Sequence, residues 1–278
     1  MLGEKNKMKL SFLGTGAAEG IPSIYCSCKT CQFARKYKGK DIRNRSAVLI
    51  DNELCIDFGP DIHHSFQSMG LDASKLKILL ITHSHFDHFY PENLEIRSKR
   101  YLREEINDLI ILGNPAVFYK LSLLGYSDKA LHIIRKEAPV YKNLKIYDYM
   151  IIPIIANHAH EFGGALNFVI KKKERTVIYA TDTGMYAEEQ MVMLKGLNAD
   201  AIILDATNLY ACTSENHLNI SGFLSMIKEL RLNNCIKNDS LIIASHFAHG
   251  GVPNHRILEK RLKEHGIIAA YDSMQIEI

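Results

Sequence analysis

The stretch "THSHFDH", residues 82–88, constrains this chain more than any other part of the sequence. It follows the apolar run "LKILLIT", which is typical of a buried strand, so four potential metal ligands emerge at one strand end. In an extended chain His83 and His85 point the same way, and Asp87 and His88 follow as the chain bends. Imidazole and carboxylate suit zinc, manganese and iron. Two such sub-sites side by side would form a two-metal centre of the kind that phosphatases and nucleases use.

Further candidate ligands follow other apolar runs downstream. The stretch "ANHAH" supplies His158 and His160, "YATDTG" supplies Asp182, and "ASHFAH" supplies His246 and His249. A carboxylate such as Asp182 can bridge two cations and lower their mutual repulsion. Its alternative role is the N-cap of the helix that follows it. Together with the histidine clusters, the bridging role is favoured.

The order of predicted elements indicates the fold class. Apolar runs predict strands at 8–14, 46–50, 54–58, 76–82, 149–155, 165–171, 176–182, 199–207 and 240–246, the second and third forming a hairpin. Helical patterns cover 61–70, 91–104, 115–124, 184–195, 220–232 and 254–265. Strands come in runs at both ends, mixed with helices. This favours an α/β fold of two mixed sheets face to face with helices outside, in one domain over residues 1–278.

Composition sets limits on the class of protein. The chain has 278 residues, of which 47% are hydrophobic and 23% charged, and these are globular values. The formal charge of +3 comes without any block of like charges, so it gives no argument for nucleic-acid or membrane binding. Residues 1–10 are too polar for a secretory signal, and no apolar stretch approaches the ~18–20 residues of a membrane span. We therefore expect a cytoplasmic protein.

Three of the six cysteines, Cys26, Cys28 and Cys31, lie within "YCSCKTCQ". In a chain without an export signal, clustered cysteines bind metal more often than they form disulfides. Three thiols supply three of the four ligands of a tetrahedral zinc site, which predicts a cysteine-rich zinc loop at 22–35. The alternative is three unliganded thiols in a loop.

These motifs together resemble the metallo-β-lactamase superfamily. The His-x-His-x-Asp-His motif after a buried strand, then a lone His, an Asp and a final His at later strand ends, carry the resemblance. The stretches "FLGTGAAEGIPSIYCSCKTC" and "SHFAH" narrow it to the PhnP-like phosphoribosyl cyclic-phosphate phosphodiesterases of phosphonate metabolism. A pyrroloquinoline-quinone biosynthesis protein carries a similar cysteine cluster. The implied fold is an αβ/βα sandwich with a dinuclear site on one edge.

The resemblance also implies the ligands of three metal ions. It assigns His83, His85 and His158 to one metal, Asp87, His88 and His246 to a second, and Asp182 as their bridge, while His249 would complete Cys26, Cys28 and Cys31. His158 is preferred to His160 because it follows an asparagine, as in the family pattern. The family analogy leans to manganese in the active site, where zinc or iron would also suit, and to zinc in the closed, structural Cys3His site.

His217, in "SENHLNI", is the remaining catalytic candidate. In the resembling family the equivalent histidine acts on the leaving group, and a histidine can protonate a departing alkoxide near neutral pH. We expect His217 and the ligand Asp87 to be the catalytic residues. The alternative for His217 is a surface histidine near a helix start. Asp57 and Asp205 are candidate hydrogen-bond acceptors beneath the metals.

Two arginines, Arg43 and Arg45, lie where they could approach a substrate phosphate. The favoured interpretation is that both are surface residues. The glycines of "GTGAAEG" lack the spacing of a phosphate-binding loop, so this stretch predicts a tight turn beside the active site.

The favoured function is a metal-dependent hydrolase, a phosphodiesterase that acts on a small or cyclic diester of the ribose cyclic-phosphate type through a metal-activated water. The alternatives are a nuclease of the tRNA 3′-processing type, a lactonase or thioesterase, and a non-catalytic metal-binding accessory protein. A tRNA nuclease would carry a protruding basic arm, whereas the segment 97–150 has the pattern of ordinary strands and helices. A small phosphodiester is the expected partner, with no membrane and no nucleic acid, and a homodimer would be ordinary.

Overall fold

A tight hairpin at the start of the chain confirms one prediction from the sequence. The computed structural model describes residues 7–160, 163–211 and 214–278. Leu49 pairs with Cys55, and Asp51 and Asn52 between the two strands have φ of 52° and 60°. The loop has three residues, and the N–H of Glu53, the third, donates to the carbonyl oxygen of Ile50 at 3.0 Å. The two central residues of this turn adopt the left-handed backbone, which Asp and Asn tolerate better than most residues.

Seven strands form the first sheet. In the order in which they lie side by side they are β14 (Gln275–Glu277), β1 (Lys9–Gly14), β2 (Ala47–Ile50), β3 (Leu54–Ile56), β4 (Ile78–Leu80), β5 (Leu109–Gly113) and β6 (Ile133–Glu137). Strands β3 to β6 run parallel to one another. Strand β2 is antiparallel to both of its neighbours, so β1 runs in the same direction as β3.

Seven strands also form the second sheet. In their spatial order they are β13 (Ile267–Ala269), β12 (Ile236–Ser245), β11 (Ala199–Asp205), β10 (Arg175–Ala180), β9 (Leu166–Lys172), β8 (Tyr149–Ile155) and β7 (Leu144–Ile146). Strands β10 to β13 are parallel, whereas β9 is antiparallel to both β8 and β10. Strand β8 therefore runs in the direction of β10.

Helices cover the outer faces of both sheets. They are α1 (Lys29–Tyr37), α2 (Ile62–Ser68), α3 (Pro115–Ser122), α4 (Glu188–Leu194), α5 (Ile220–Leu232) and α6 (His255–Lys263), and 3-10 turns occupy Gly39–Asp41, Ala73–Lys75, Pro91–Arg97 and Asp128–Leu131. Helices α2 and α3 share a core with the first sheet, and α5 and α6 share one with the second. In the part of the chain that the structure describes, no helix has the length and apolarity to cross a membrane.

The central strands are buried on both faces. In β4 and its extension, Ile78 and Leu80 pack in the layer between the sheets, whereas Leu79 and Ile81 pack towards α2 and α3. Burial on both faces explains why the sequence shows continuous apolar runs there rather than alternation. The predicted architecture of two mixed sheets face to face with helices outside is confirmed.

Two helix assignments differ from the sequence-based expectation. The helix expected over 91–104 is a 3-10 helix that ends at Arg97, whose side chain donates to the carbonyl oxygens of Leu131 and His132. These bonds tie the chain to the start of β6, and the backbone becomes extended at Ser98. Helix α1 was not expected because its apolar face is short: only Cys31 and Ala34 in it are buried.

The carboxyl ends of six strands provide the functional edge. Strands β3, β4, β8, β10, β11 and β12 each lead directly into one of the polar clusters found in the sequence. Because these strands share a direction within each sheet, the residues that follow them meet along one edge of the sandwich.

Candidate metal centre

Three histidine rings converge in the first donor set, which consists of His83, His85 and His158. The Nε2 atom of His83 lies 2.9 Å from Nδ1 of His85, and Nε2 of His158 lies 3.4 Å from that same atom. His83 follows β4 and His158 follows β8, so both sheets contribute. His160, the alternative to His158, is exposed, and its Nε2 contacts Oδ1 of Asn157 at 3.1 Å.

Four buried side chains form the second donor set: Asp87, His88, Asp182 and His246. Nε2 of His88 lies 3.1 Å from Oδ2 of Asp87 and 3.3 Å from Nε2 of His246. The structure thus brings together the residues that the resemblance assigns to the second metal. Their role as ligands stays a prediction.

Asp182 lies between the two donor sets. Its Oδ2 atom is 2.6 Å from Nε2 of His88, 3.6 Å from Nε2 of His83 and 3.9 Å from Nε2 of His158. Its Oδ1 atom is buried and has no hydrogen-bond partner. One carboxylate shared by two groups of donors, with a buried oxygen left unsatisfied, is the arrangement that a bridging ligand requires.

The chemistry of these donors fits two divalent cations. Ring nitrogens that face one another at hydrogen-bond distance repel unless a proton or a cation lies between them. Burial would raise the pKa of Asp182, but His246 and His88 hold it well below its usual range, so the carboxylate is ionised. Burial and the charge of His88 lower the pKa of His83, which favours the neutral ring. Neutral imidazoles with ionised carboxylates form a donor set suited to zinc, manganese or iron.

Asp57 determines which nitrogen of His88 faces the centre. Its Oδ2 atom lies 2.7 Å from Nδ1 of His88, and both side chains are fully buried. The hydrogen-bond network therefore holds a proton on Nδ1, which leaves Nε2, 2.6 Å from Oδ2 of Asp182, as the nitrogen that faces the centre. Asp57 thus has the contact expected of an acceptor beneath the metals.

Thr82 extends the support from Asp57 to a second ring. Its hydroxyl donates to Oδ1 of Asp57 at 2.9 Å and lies 3.0 Å from Nδ1 of His83, from which it can accept. Asp57 thus orients one histidine directly and another through a threonine. Thr82 was not among the residues predicted for the site, although it opens the motif "THSHFDH".

Thr207 repeats this arrangement on the other side of the centre. Its hydroxyl donates to Oδ2 of Asp205 at 2.9 Å and lies 2.8 Å from Nδ1 of His246. The proton of His246 is therefore held on Nδ1, and Nε2 faces the second donor set. Thr207 was not predicted for the site either. Its place two residues after Asp205, at the end of β11, was the available signal.

His217 lies beside both donor sets and is fixed by Asp205. Its Nδ1 atom is 3.2 Å from Oδ2 of Asp205 and 3.5 Å from Oδ1 of Asp182, and its ring is stacked on that of His246. Burial would lower the pKa of His217, but the hydrogen bond and charge of Asp205, with Asp182, raise it to about 8. A protonated ring at neutral pH, held by a buried carboxylate, can act as a proton donor.

The cysteine cluster forms a separate donor set with His249. Nδ1 of His249 lies 3.5 Å from Sγ of Cys26 and 3.4 Å from Sγ of Cys28, and Cys31 completes the group. Oε1 of Glu19 lies 3.6 Å from Nε2 of the same ring, which leaves Nδ1 for a metal. Three thiols and one imidazole make a closed tetrahedral zinc set.

The pKa values of two of these thiols are shifted in opposite directions. Burial would raise the pKa of Cys28, but the backbone N–H of Cys31 and the ring of His249 lower it to about 6. Burial raises the pKa of Cys31 to about 12. A thiolate at Cys28 is thus available at neutral pH, and a bound cation would release the proton of its neighbour.

The two candidate arginines have structural partners. The expectation of a surface residue is wrong for Arg43, which is 3% exposed, donates to Oγ1 of Thr15 at 2.7 Å and lies over the ring of Phe247. Arg45 pairs with Asp61 at 3.0 Å. Arg43 thereby supports the loop that carries both His246 and His249, and the contacts of both guanidinium groups lie within the protein.

Comparison with known proteins identifies the family. Residues 52–244 match the family model described as the beta-lactamase superfamily domain. The chain belongs to this superfamily. A curated octanoyltransferase of Porphyromonas gingivalis is 33% identical over 85 residues, which are 29% of this chain and 16% of that protein. The match therefore spans less than a fifth of that relative's length.

Several solved structures share the fold of this chain over almost its whole length. A diphosphatase from the PhnP family has a TM-score of 0.77 at 20% identity, over 98% of this chain and 97% of that one. Zn(2+)-bound PqqB from Methylobacterium extorquens has 0.75 at 15%, over 97% and 100%. The short form of human tRNase Z has 0.65 at 17%, over 96% and 98%. The superfamily and the fold of this chain are thus established.

The contact between the Thr207 hydroxyl and the His246 ring gives a testable prediction. The substitution Thr207→Val keeps the shape of the side chain but removes the hydroxyl that orients His246. We expect the metal affinity of the second donor set to fall by about 10–100-fold. Thr207→Ser keeps the hydroxyl and should retain the metal. Metal content per chain after dialysis, measured by mass spectrometry, checks this. Full retention by the valine variant would contradict the assigned role.

Proposed function

We propose that this superfamily member is a metal-dependent phosphodiesterase that hydrolyses a small or cyclic phosphodiester of the ribose cyclic-phosphate type. The observation that carries the proposal is the position of His217, which is fixed by Asp205 and lies beside both donor sets. An alkoxide is a poor leaving group and needs a proton as it departs. Phosphodiester hydrolysis needs an activated water and a proton for the leaving group. A paired metal site with a proton donor at its side would supply both.

Each of the two donor sets would hold one cation. His83, His85 and His158 would bind one cation, and Asp87, His88 and His246 the other, with Asp182 shared between them. Two divalent cations supply Lewis acidity, an acidified water and a clamp on both oxygens of an in-line displacement. Manganese, zinc or iron suits these ligands, and zinc suits the cysteine set.

The residues of the chain supply the proton transfer. The oxygen of water forms a new bond to phosphorus, and the bond from phosphorus to the sugar oxygen breaks. That oxygen keeps the electron pair and takes a proton from Nε2 of His217. Asp205 holds Nδ1 of the ring and balances its positive charge, and the proton lost by water passes to solvent.

The alternatives fit these observations less well. A thioester releases a thiolate, which leaves without a general acid, so a thioesterase has little use for the pair of His217 and Asp205. A lactonase would use this proton donor, but its reaction has no phosphoryl oxygens for a pair of metal ions to hold. For a tRNA nuclease a protruding arm is expected, whereas the segment 97–150 contributes strands to both sheets. A non-catalytic role leaves the oriented proton donor unexplained.

The first test is hydrolysis of a panel of small phosphodiesters that includes ribose 1,2-cyclic phosphate. The protein is stripped of metal, reloaded with manganese and assayed for phosphate-ester products. We expect turnover on diesters, strongest on the cyclic ribose ester, and none by the stripped protein. Absence of turnover on every diester, from protein shown by metal analysis to hold both cations, would exclude the proposed function.

The second test concerns the proton donor. His217→Ala should lower kcat about 10²–10⁴-fold on an alkyl leaving group, with the metal content unchanged. The loss should shrink on a p-nitrophenyl ester, because nitrophenolate leaves without a proton. His63→Ala, at an exposed position on α2, is the matched control. An equal loss on both substrates would argue against proton donation by His217.

A further inference from the structure

Helix α3 supplies no member of the two donor sets, yet two polar side chains at this helix contact the segments that carry donors from both sheets. Lys120 reaches the turn after β4, and Asn114, which caps the helix, reaches the loop between β8 and β9. On the same helix Val117 and Leu121 are buried in the core shared with the first sheet. The helix is therefore a fixed support for both contacts.

The ammonium group of Lys120 donates to two carbonyl groups, one at each end of the turn after β4. Its Nζ atom lies 2.9 Å from the carbonyl oxygen of Ser84 and 2.6 Å from that of Phe89. The residues between these carbonyls belong to both donor sets: His85 to the first, Asp87 and His88 to the second. One side chain thus closes the turn that joins the two proposed metal positions.

The backbone after β3 makes the other contacts of this turn. The N–H of Phe58 donates to the carbonyl oxygen of His88 at 2.7 Å. Gly59 packs so closely that a Cβ there would lie 2.1 Å from the carbonyl oxygen of Asp87. Backbone contacts therefore fix the middle of the turn, and Lys120 holds its two ends.

The charge of Lys120 also suits its position. Burial lowers the pKa of the ammonium group, and the negative charges of Glu92 and Asp87 counter that effect. Asp87 is a buried member of the second donor set. A positive charge near it favours the ionised carboxylate, which is the form that binds a cation.

Asn114 makes the corresponding contact to the segment of His158. Its Nδ2 atom donates to the carbonyl oxygen of Gly164 at 2.7 Å. In the same loop the N–H of Ala165 donates to the carbonyl oxygen of His158 at 3.0 Å. Helix α3 thus relates the position of His158, which follows a strand of the second sheet, to the turn that follows β4 of the first.

We propose that Lys120 is a positioning residue for both cations, because it fixes the turn 84–89 whose donors face both metal positions. The inference rests on the part of the proposed function that assigns two cations to the donor sets, and it does not depend on the substrate. Loss of Lys120 should weaken the binding of both cations together. Loss of a residue that orients a single ring, such as Thr207, should weaken the binding of one.

The test is a manganese titration of metal-stripped protein, with free Mn²⁺ measured by EPR spectroscopy and zinc content measured in parallel. Lys120→Met keeps the apolar stem of the side chain and removes the ammonium group. We expect the affinity for each of the two manganese ions to fall about 10–100-fold. Lys120→Arg keeps the positive charge and N–H donors, so it should recover most of that loss. Lys129→Met, at an exposed position, is the matched control and should change neither affinity.

Thermal unfolding of each stripped variant shows whether the titrated protein is folded. If Lys120→Met does not fold, Lys120→Gln, whose amide can still donate to one carbonyl, takes its place with the same expectation. Joint loss of affinity for both ions in the folded variant, with recovery in Lys120→Arg, supports the positioning role.

Three results would contradict the inference, and they distinguish it from the proposed function. Unchanged affinities in the folded variant, a loss confined to one ion, or an equal loss in Lys120→Arg would overturn the role of Lys120 and leave the two-cation centre standing. Binding of fewer than two manganese ions by the unaltered protein would overturn the proposed centre itself, and this inference with it.

Discussion

Two buried carboxylates, Asp57 and Asp205, hold the histidine rings on which the site depends. Each contacts one ring directly, His88 or His217, and reaches another through a threonine hydroxyl. Imidazole can carry its proton on either nitrogen, so a ring without a fixed partner could direct its N–H at a metal position. A fully buried carboxylate removes that freedom, because leaving it without donors would cost several kcal/mol. The sandwich fold provides the two buried positions that these carboxylates occupy.

The backbone at the site is held in an uncommon conformation. Asp57, Asp182 and His246 all have positive φ, at 64°, 49° and 63°. Each follows the end of a strand, where the chain must turn sharply to direct a side chain across the edge of the sheets. Such residues cost of order 1–3 kcal/mol each and persist where the surroundings determine them fully. The packed strands supply that constraint, so the donors are positioned before any cation binds.

Much of this architecture could be predicted from the sequence. The apolar runs located β4, β8 and the other strands of the central core, since burial on both faces leaves a clear pattern. The clusters after them identified the donors, because strand direction brings strand ends together. Strands β5, β6, β7, β13 and β14 and helix α1 were not predicted. Strand β6 and helix α1 are largely exposed, so their apolar pattern is weak. The threonine bridges and the burial of Arg43 depend on contacts between distant segments, which one sequence does not reveal.

The central claim is that one centre holds two cations on either side of Asp182. Anomalous scattering from a crystal of the manganese-loaded protein tests it most directly. The account predicts two peaks, one among His83, His85 and His158 and one among Asp87, His88 and His246, with zinc at the cysteine set. A single peak, or a cation among Asp182, Asp205, His217 and His246, would contradict it, because His217 would then be a ligand and not a proton donor.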